Sequence, residues 1–431
     1  MKTYNGQSNS WHRWKRVVVL AALAGLLTGC ATLFGSGDEH SDDGEDEVSE
    51  MELDPVLIRA GDDGESEHLE ADEVFEKAYY AFQESDYEES AQYYQLVVDY
   101  FDDSRFYLPS LYNSGLSYES LDQWEEAARA FEMLLRDFPD SDQALNAEFR
   151  LANALYELGE YERVEERLTE LLLDAELEHY DRVEAHVRRG NALLELEEWT
   201  DAENSFRNAL DSNEDARPSE RLADDELYII QAHYGRGKVY HGRMNEISLV
   251  LPPEQMEVDL EQKADHHQSA LASYLRAVEE HHPRWSVAAG YELGRLFQDM
   301  YIDILTAEIP DDLSDEELAY YFDELRNKLE VLVDRATNIY ERNLSFARRI
   351  AAYDDRADRW VDKTTRNLER AQALRDDPLV QQRAEELILE QGHLEGLWEP
   401  GYYARHAVGG AVDEAVDQVR ELAPDEVAVV P

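Results

Sequence analysis

The sequence contains a single cysteine, Cys30, among its 431 residues. One thiol cannot form an internal disulfide, so the stability of the fold must come from a packed core. Basic residues are also scarce, because 40 lysines and arginines stand against 97 aspartates and glutamates, for a formal net charge of −57. A field of that sign repels phosphates and anionic lipid headgroups, so we expect no nucleic-acid partner and no basic membrane-binding surface.

Recognisable catalytic and cofactor motifs are missing as well. The sequence has no glycine-rich phosphate loop and no His-Glu-x-x-His motif, and its carboxylates are spread over helical surfaces. Two histidine pairs, 266–267 and 281–282, are the only candidate metal cluster, but they bracket one expected helix and lie roughly 20 Å apart along it. We therefore expect exposed histidines at helix ends, no metal, no cofactor, no small-molecule substrate and no enzymatic activity.

The N-terminal region has the layout of a secretory signal. Four basic residues precede eleven mainly apolar residues, 17–27, which are too few to span a bilayer. The run that follows, Leu-Thr-Gly-Cys at 27–30, resembles the lipobox of bacterial lipoproteins. That resemblance implies a signal peptide over 1–29 and lipid on Cys30, and Ala31 after it implies an outer-membrane anchor with the folded domain in the periplasm. A free cysteine beside an ordinary signal peptide or anchor is the alternative.

Two polar segments flank the part expected to fold. Residues 30–68 comprise the cysteine and a Gly/Ser/Asp/Glu tract that is too polar to repay its ordering entropy. This composition predicts an acidic disordered tether, extended by its own charge. Residues 376–431 mix glycine, proline and acidic residues, which favours a short helix followed by a flexible tail.

Between residues 71 and 283 the chain repeats itself. The turn aromatics Tyr87, Trp124, Tyr161 and Trp199 recur at intervals of 37, 37 and 38 residues. The clearest unit consists of Leu111, Gly115, Tyr118, Trp124, Ala127, Phe131, Leu134 and Pro139. These residue types at these spacings resemble the tetratricopeptide repeat, a helix-turn-helix of about 34 residues. The resemblance implies an all-α superhelical solenoid of stacked helix pairs, with an amphipathic helical bundle as the alternative.

The later units fit the pattern less closely. We expect repeats 1–5 over 69–283, the fifth aligned on Gly235 and interrupted by an insertion near 241–263. Residues 284–375 are expected to form degenerate or capping helices, including a long helix from about 314 to 350 and another from about 356 to 375. Stacked pairs with a capping helix explain this region most simply.

The resemblance also implies a concave groove lined by the first helix of each repeat. The groove positions lie one residue after the small residue or three before it, and we expect the partner-binding residues to be Phe75, Tyr79, Tyr112, Leu116, Phe149, Asn153, Asn191, Arg236 and Arg295. Asn153 and Asn191, with Arg150 and Arg188 nearby, are similar to the carboxylate clamps of peptide-binding relatives. Phe149 and Val187 occupy places where such clamps carry lysine. The arginines could hold an acidic peptide or pair with neighbouring repeats, and the second is favoured.

The whole pattern is similar to outer-membrane tetratricopeptide-repeat lipoproteins, and the turn Phe138-Pro139-Asp140-Ser141 is typical of that group. It implies a non-enzymatic scaffold that presents its groove to an envelope protein and meets the membrane through lipid on Cys30. One alternative is a periplasmic chaperone for extended peptides. Another is an enzyme or enzyme regulator using the segment from Ala264 to Arg375, and a buried cluster of convergent polar residues there would favour it.

Overall fold

The computed structural model describes residues 57–60, 66–215, 225–280, 282–309, 315–351 and 358–376. Cys30, the expected signal peptide and the segment from 377 onward lie outside them. In the described part, the chain forms two strands, β1 (Leu57–Ala60) and β2 (Ser66–Leu69), and thirteen helices: α1 (Ala71–Gln83), α2 (Tyr87–Tyr100), α3 (Tyr107–Ser120), α4 (Trp124–Asp137), α5 (Ala144–Glu157), α6 (Tyr161–Leu171), α7 (His179–Glu195), α8 (Trp199–Asp215), α9 (Asp225–Glu246), α10 (Pro253–Glu279), α11 (Pro283–Leu305), α12 (Asp315–Ala351) and α13 (Asp358–Asp376).

The helices stack as consecutive antiparallel pairs, each packed on the next along the chain. The odd-numbered helices α1 to α11 are the first helices of six pairs, the A helices, and the even-numbered ones are the B helices. The prediction of an all-α solenoid of stacked repeats is confirmed. Among the helices that can be described, none is long and apolar enough to cross a membrane.

The turn inside each of the first four pairs is built in the same way. Helices α2, α4, α6 and α8 begin at the four recurring turn aromatics. Two residues before each aromatic, one residue adopts a positive φ between 56° and 77°: Ser85, Asp122, Gly159 and Glu197. This left-handed residue reverses the chain at the end of the A helix, and the aromatic then opens the B helix.

Close approach of the paired helices depends on a small residue in the A helix. A Cβ at Gly115 would lie 2.5 Å from the ring of Phe131 on the B helix, well inside van der Waals contact. Phe131 is fully buried, and four other repeats bury an aromatic at the same position: Tyr94, Phe206, Tyr274 and Tyr340. The third repeat has Leu168 there. The small residue and the aromatic therefore set the spacing inside a pair.

The expected tether is wrong at its C-terminal end. β1 and β2 form an antiparallel pair in which Leu57 lies opposite Leu69 and Ala60 opposite Ser66. Leu69 is buried in the first core cluster beside Val74 of α1. Pairing of the two strands and burial of Leu69 provide free energy that offsets the entropy lost when this segment becomes ordered. A wholly polar tract has no such contribution.

The insertion expected near 241–263 takes the form of longer helices. It covers the end of α9, a link of six residues and the first turns of α10, which runs for 27 residues. The long helix expected from about 314 to 350 coincides with α12, and the helix expected from about 356 to 375 coincides with α13. Met256 and Leu260 in the additional length of α10 are buried in the core cluster that α9 to α13 share.

Candidate functional site

The small residue of the fifth repeat lies two residues further along the chain than the sequence pattern predicted. A Cβ at Gly237 would lie 2.4 Å from Tyr274 on the B helix of the same repeat, as Gly115 meets Phe131. Gly235 instead meets Phe206, on the B helix of the preceding repeat. Gly237, not Gly235, is therefore the small residue of this A helix.

This register changes the groove residue that α9 contributes. The position after the small residue is Lys238, and at about 100° per residue Arg236 lies roughly 160° away from it around the helix. The Arg236 guanidinium packs 5.9 Å from the ring centre of Tyr240, whose hydroxyl bonds to α8. The assignment of Arg236 to the groove is thus corrected, because its side chain lies on the opposite side of α9.

With this correction, one partly exposed residue stands at the same position of each A helix. We call these six residues the groove row: Tyr79, Leu116, Asn153, Asn191, Lys238 and Arg295. The row runs from aromatic and aliphatic through amide to basic side chains. Five of its members are residues expected to bind a partner.

The residues three positions before the small residue are more deeply placed. Phe75 is half-buried against Tyr94 and Phe106. Tyr112 and Phe149 are only 4% and 7% exposed, so they form the floor beneath the groove row. This corrects the expectation that these two rings are presented to a partner.

The arginines near the middle of the row are already paired. Arg150 donates to Glu119, on the A helix of the preceding repeat, at 2.8 Å, and Arg188 bonds to Glu184 on its own helix at 2.7 Å. The Arg188 guanidinium also lies 5.7 Å from the ring centre of Phe149. Burial raises the pKa of Glu119, and the nearby Arg150 limits that rise. Of the two roles left open for these arginines, the structure shows pairing within the protein.

A denser polar cluster joins repeats five and six. Arg295 bonds to Glu292 at 3.3 Å and to Asp299 at 3.2 Å, and His241 of α9 bonds to Asp299 at 3.1 Å. Burial opposes ionisation of Asp299, but the hydrogen bond from His241 and the charge of Arg295 outweigh it and lower the pKa. Nearby, the buried Lys263 bonds to Asp303 at 2.5 Å. Convergent buried polar residues thus occur where the enzyme alternative required them, although the charged members bond to one another.

The first histidine pair does not occupy the exposed helix end expected of it. His266 and His267 lie in the middle of α10, and His267 is completely buried. His282 is the N-cap of α11 and accepts a hydrogen bond from the backbone of Trp285, while His281 lies outside the described residues. In the ranges that can be described, no three His, Cys, Asp or Glu side chains are placed to hold a metal ion.

Residues 110–141 match the model of the tetratricopeptide repeat family. The matched residues cover most of α3, all of α4 and the turn that follows, which is the unit built around Gly115 and Phe131. The match covers one repeat, and the stacked helix pairs on either side of it give the chain a tetratricopeptide-like solenoid architecture. No curated protein matches the sequence.

Several solved structures match this chain at low similarity. A tetratricopeptide repeat protein from Parabacteroides merdae is 15% identical, with a TM-score of 0.34 over 68% of this chain and 98% of its own. The apo form of RapI is 15% identical, with a TM-score of 0.39 over 75% and 100%. Yeast Tom70 is 12% identical, with a TM-score of 0.25 over 82% and 76%.

Proposed function

We propose that the protein is a non-enzymatic adaptor that holds an extended segment of an envelope protein along the groove row. The supporting observation is that the equivalent positions of all six A helices carry partly exposed side chains above a packed floor. Backbone amides of an extended peptide can bond to Asn153 and Asn191, while apolar side chains can pack on Tyr79 and Leu116. Because Arg150 and Arg188 are neutralised internally, the middle of the groove favours an uncharged segment.

The membrane anchor belongs to the same proposal. The sequence at 27–30 supports lipid attachment to Cys30, which would place the repeats in the periplasm on the outer membrane. Two or three acyl chains are enough for essentially permanent attachment. Metabolic labelling with an alkyne fatty acid, followed by membrane fractionation, tests this part: label and membrane retention should both be lost in Cys30→Ser, and a labelled Cys30→Ser protein would refute it.

The groove can be tested without disturbing the fold. The test variant combines Leu116→Ala, Asn153→Ala and Asn191→Ala, all at partly exposed positions. The matched control removes the same residue types from exposed sites on other faces: Leu173→Ala, Asn208→Ala and Asn338→Ala. Tyr112 and Phe149 are left intact, because their truncation would damage the core.

The assay is crosslinking in cells, affinity capture of the full-length lipidated protein and mass spectrometry. The proposal expects one envelope complex at constant stoichiometry with the wild type and the control, and its loss in the groove variant. Many unfolded clients in place of one complex would favour the chaperone alternative. An unchanged complex in the groove variant would show that the groove assignment is wrong.

An enzyme or enzyme regulator is the second candidate, and the buried cluster around Glu292 is the observation that favours it. Residues that serve a function often lower the stability of the fold, so that replacing them raises it. Glu292→Gln should lower the thermal midpoint if the cluster only joins the two repeats, since Arg295 would lose a partner. A higher midpoint would favour the second candidate.

A further inference from the structure

The side of α9 opposite the groove row carries a basic stripe. His233, Arg236, Tyr240 and Arg243 follow one another at spacings of three, four and three residues, which places them on one face of the helix. This face lies between two B helices: Tyr240 bonds to Glu203 of α8 and stacks on His266 of α10, with ring centres 6.3 Å apart. We call this face of α9, with the adjoining residues of α8 and α10, the seam.

One end of the seam already holds a carboxylate. Glu203 accepts hydrogen bonds from the Tyr240 hydroxyl and from Nη1 of Arg243, the second at 2.7 Å. The guanidiniums of Arg236 and Arg243 lie 5.9 Å and 5.8 Å from the centre of the Tyr240 ring. Burial opposes the charge on Glu203, but the bonds from Tyr240 and Arg243 outweigh it and lower the pKa. This end of the seam is therefore a carboxylate-binding site, and it is occupied by Glu203 of the protein itself.

The other end has the same kind of donors, and within the described part of the chain no carboxylate bonds to them. Nε of Arg236 and Nδ1 of His233 are both buried and make no hydrogen bond. Arg276 of α10 is exposed and, in the part of the chain that the structure describes, forms no ion pair. Burial, with the charges of Arg276 and Arg236, lowers the pKa of His233 to about 4, so both arginines lie close to a neutral imidazole.

Basic side chains without a carboxylate partner are unexpected in a protein of this composition. Acidic residues outnumber basic ones by more than two to one, and Arg150, Arg188, Arg243 and Arg295 all pair with a carboxylate. Unpaired donors on buried atoms are costly, because they lose water without gaining a partner. About 10 Å further along α9, the donors of Tyr240 and Arg243 are satisfied by the carboxylate of Glu203.

We propose that His233, Arg236 and Arg276 form a second carboxylate site, which takes an acidic side chain of a protein partner as Arg243 and Tyr240 take Glu203. Arg236 offers its Nε–H and Arg276 a planar fork, a donor set that matches a carboxylate. The site lies on the side of α9 away from Lys238, so a partner can occupy it whether or not the groove is filled. It does not depend on the groove proposal.

The test uses acetate as the probe and the full-length protein. The thermal midpoint is measured in acetate up to 200 mM and in chloride at equal ionic strength, for the wild type, Arg236→Gln and the control Arg129→Gln. Arg129 is an exposed arginine of α4 that pairs with Glu126, away from the seam. Acetate should raise the midpoint of the wild type and the control by about 1 °C relative to chloride, and should not raise that of Arg236→Gln. Equal shifts in all three proteins, or no shift in any, would overturn the proposal.

A variant that supplies its own carboxylate to the site gives an independent test. Arg207 is exposed and lies four residues after Glu203, on the same face of α8. Arg207→Glu would place a carboxylate one turn further along the seam, towards the unpaired donors. It should raise the midpoint in chloride and remove the acetate response, whereas Arg129→Glu, with the same charge change, should do neither. A midpoint that falls equally in both variants would contradict the site.

Discussion

His267 should limit the stability of this protein, and more so as the solution becomes acidic. The residue is completely buried on α10, its ring lies 5.0 Å edge-on from Phe297, and neither ring nitrogen has a hydrogen-bond partner. Burial lowers the pKa of His267 to about 3, with smaller contributions from the charges of His241 and Arg335. The imidazole is therefore neutral in the folded protein from pH 5 upward.

Two contributions to the free energy of unfolding follow. At pH 7.5, a buried polar group without a partner costs about 1–3 kcal/mol, so His267→Leu should stabilise the protein by that amount. When the pH falls below about 6.5, the unfolded chain binds a proton at this histidine and the folded chain does not. Stability is then lost with falling pH, by about 2 kcal/mol at pH 5. The advantage of His267→Leu over the wild type should therefore grow by about 2 kcal/mol between pH 7.5 and pH 5.

Urea unfolding at the two pH values measures this difference directly. Comparing the variant with the wild type removes the contribution of the many carboxylates, which titrate in both proteins. His179→Gln is measured beside it as the matched removal of an exposed histidine, at the start of α7. An advantage of His267→Leu that is absent at pH 7.5, or constant between the two pH values, would mean that His267 is hydrogen-bonded or charged in the folded state.

Three further substitutions test the packing. Gly115→Ala should cost about 1–3 kcal/mol in urea unfolding because the new methyl meets Phe131, and Phe131→Leu should make the same substitution less costly. Lys263→Met should cost about 1–3 kcal/mol because the partly exposed Asp303 loses its charged hydrogen-bond partner, and adding Asp303→Asn should recover part of the loss. Asn343→Ala removes buried bonds to a carbonyl of α11 and a hydroxyl of α13, so limited proteolysis should cut α13 earlier than in the wild type.

Much of the fold follows from the sequence because a small set of local rules is repeated. The turn aromatics give the first residue of four B helices, and the small residue gives the point where paired helices touch. The register of the fifth repeat could also have been found. Tyr118 lies three residues after Gly115, and Tyr240 lies three residues after Gly237 but five after Gly235. The presence of two glycines in one turn concealed that spacing.

Other features could not be derived from local patterns. The β1–β2 pair consists of four-residue strands without a regular alternation, and its order depends on a backbone partner and on the burial of Leu69. Ion pairs between repeats are equally hidden, since Arg150 and Glu119 are 31 residues apart. With 97 acids available, sequence alone does not show which arginine meets which carboxylate.

The distribution of paired and unpaired arginines separates the groove from the seam. On the groove side, Arg150, Arg188 and Arg295 each bond to a carboxylate of the protein. An acidic peptide there would have to displace that carboxylate, which would then be buried without its partner and repelled by the peptide. At the seam, Arg236 and Arg276 form no ion pair in the described part of the chain, so an incoming carboxylate would displace no acidic partner. The two faces should therefore select opposite chemistries: an uncharged extended segment along the groove and an acidic side chain at the seam.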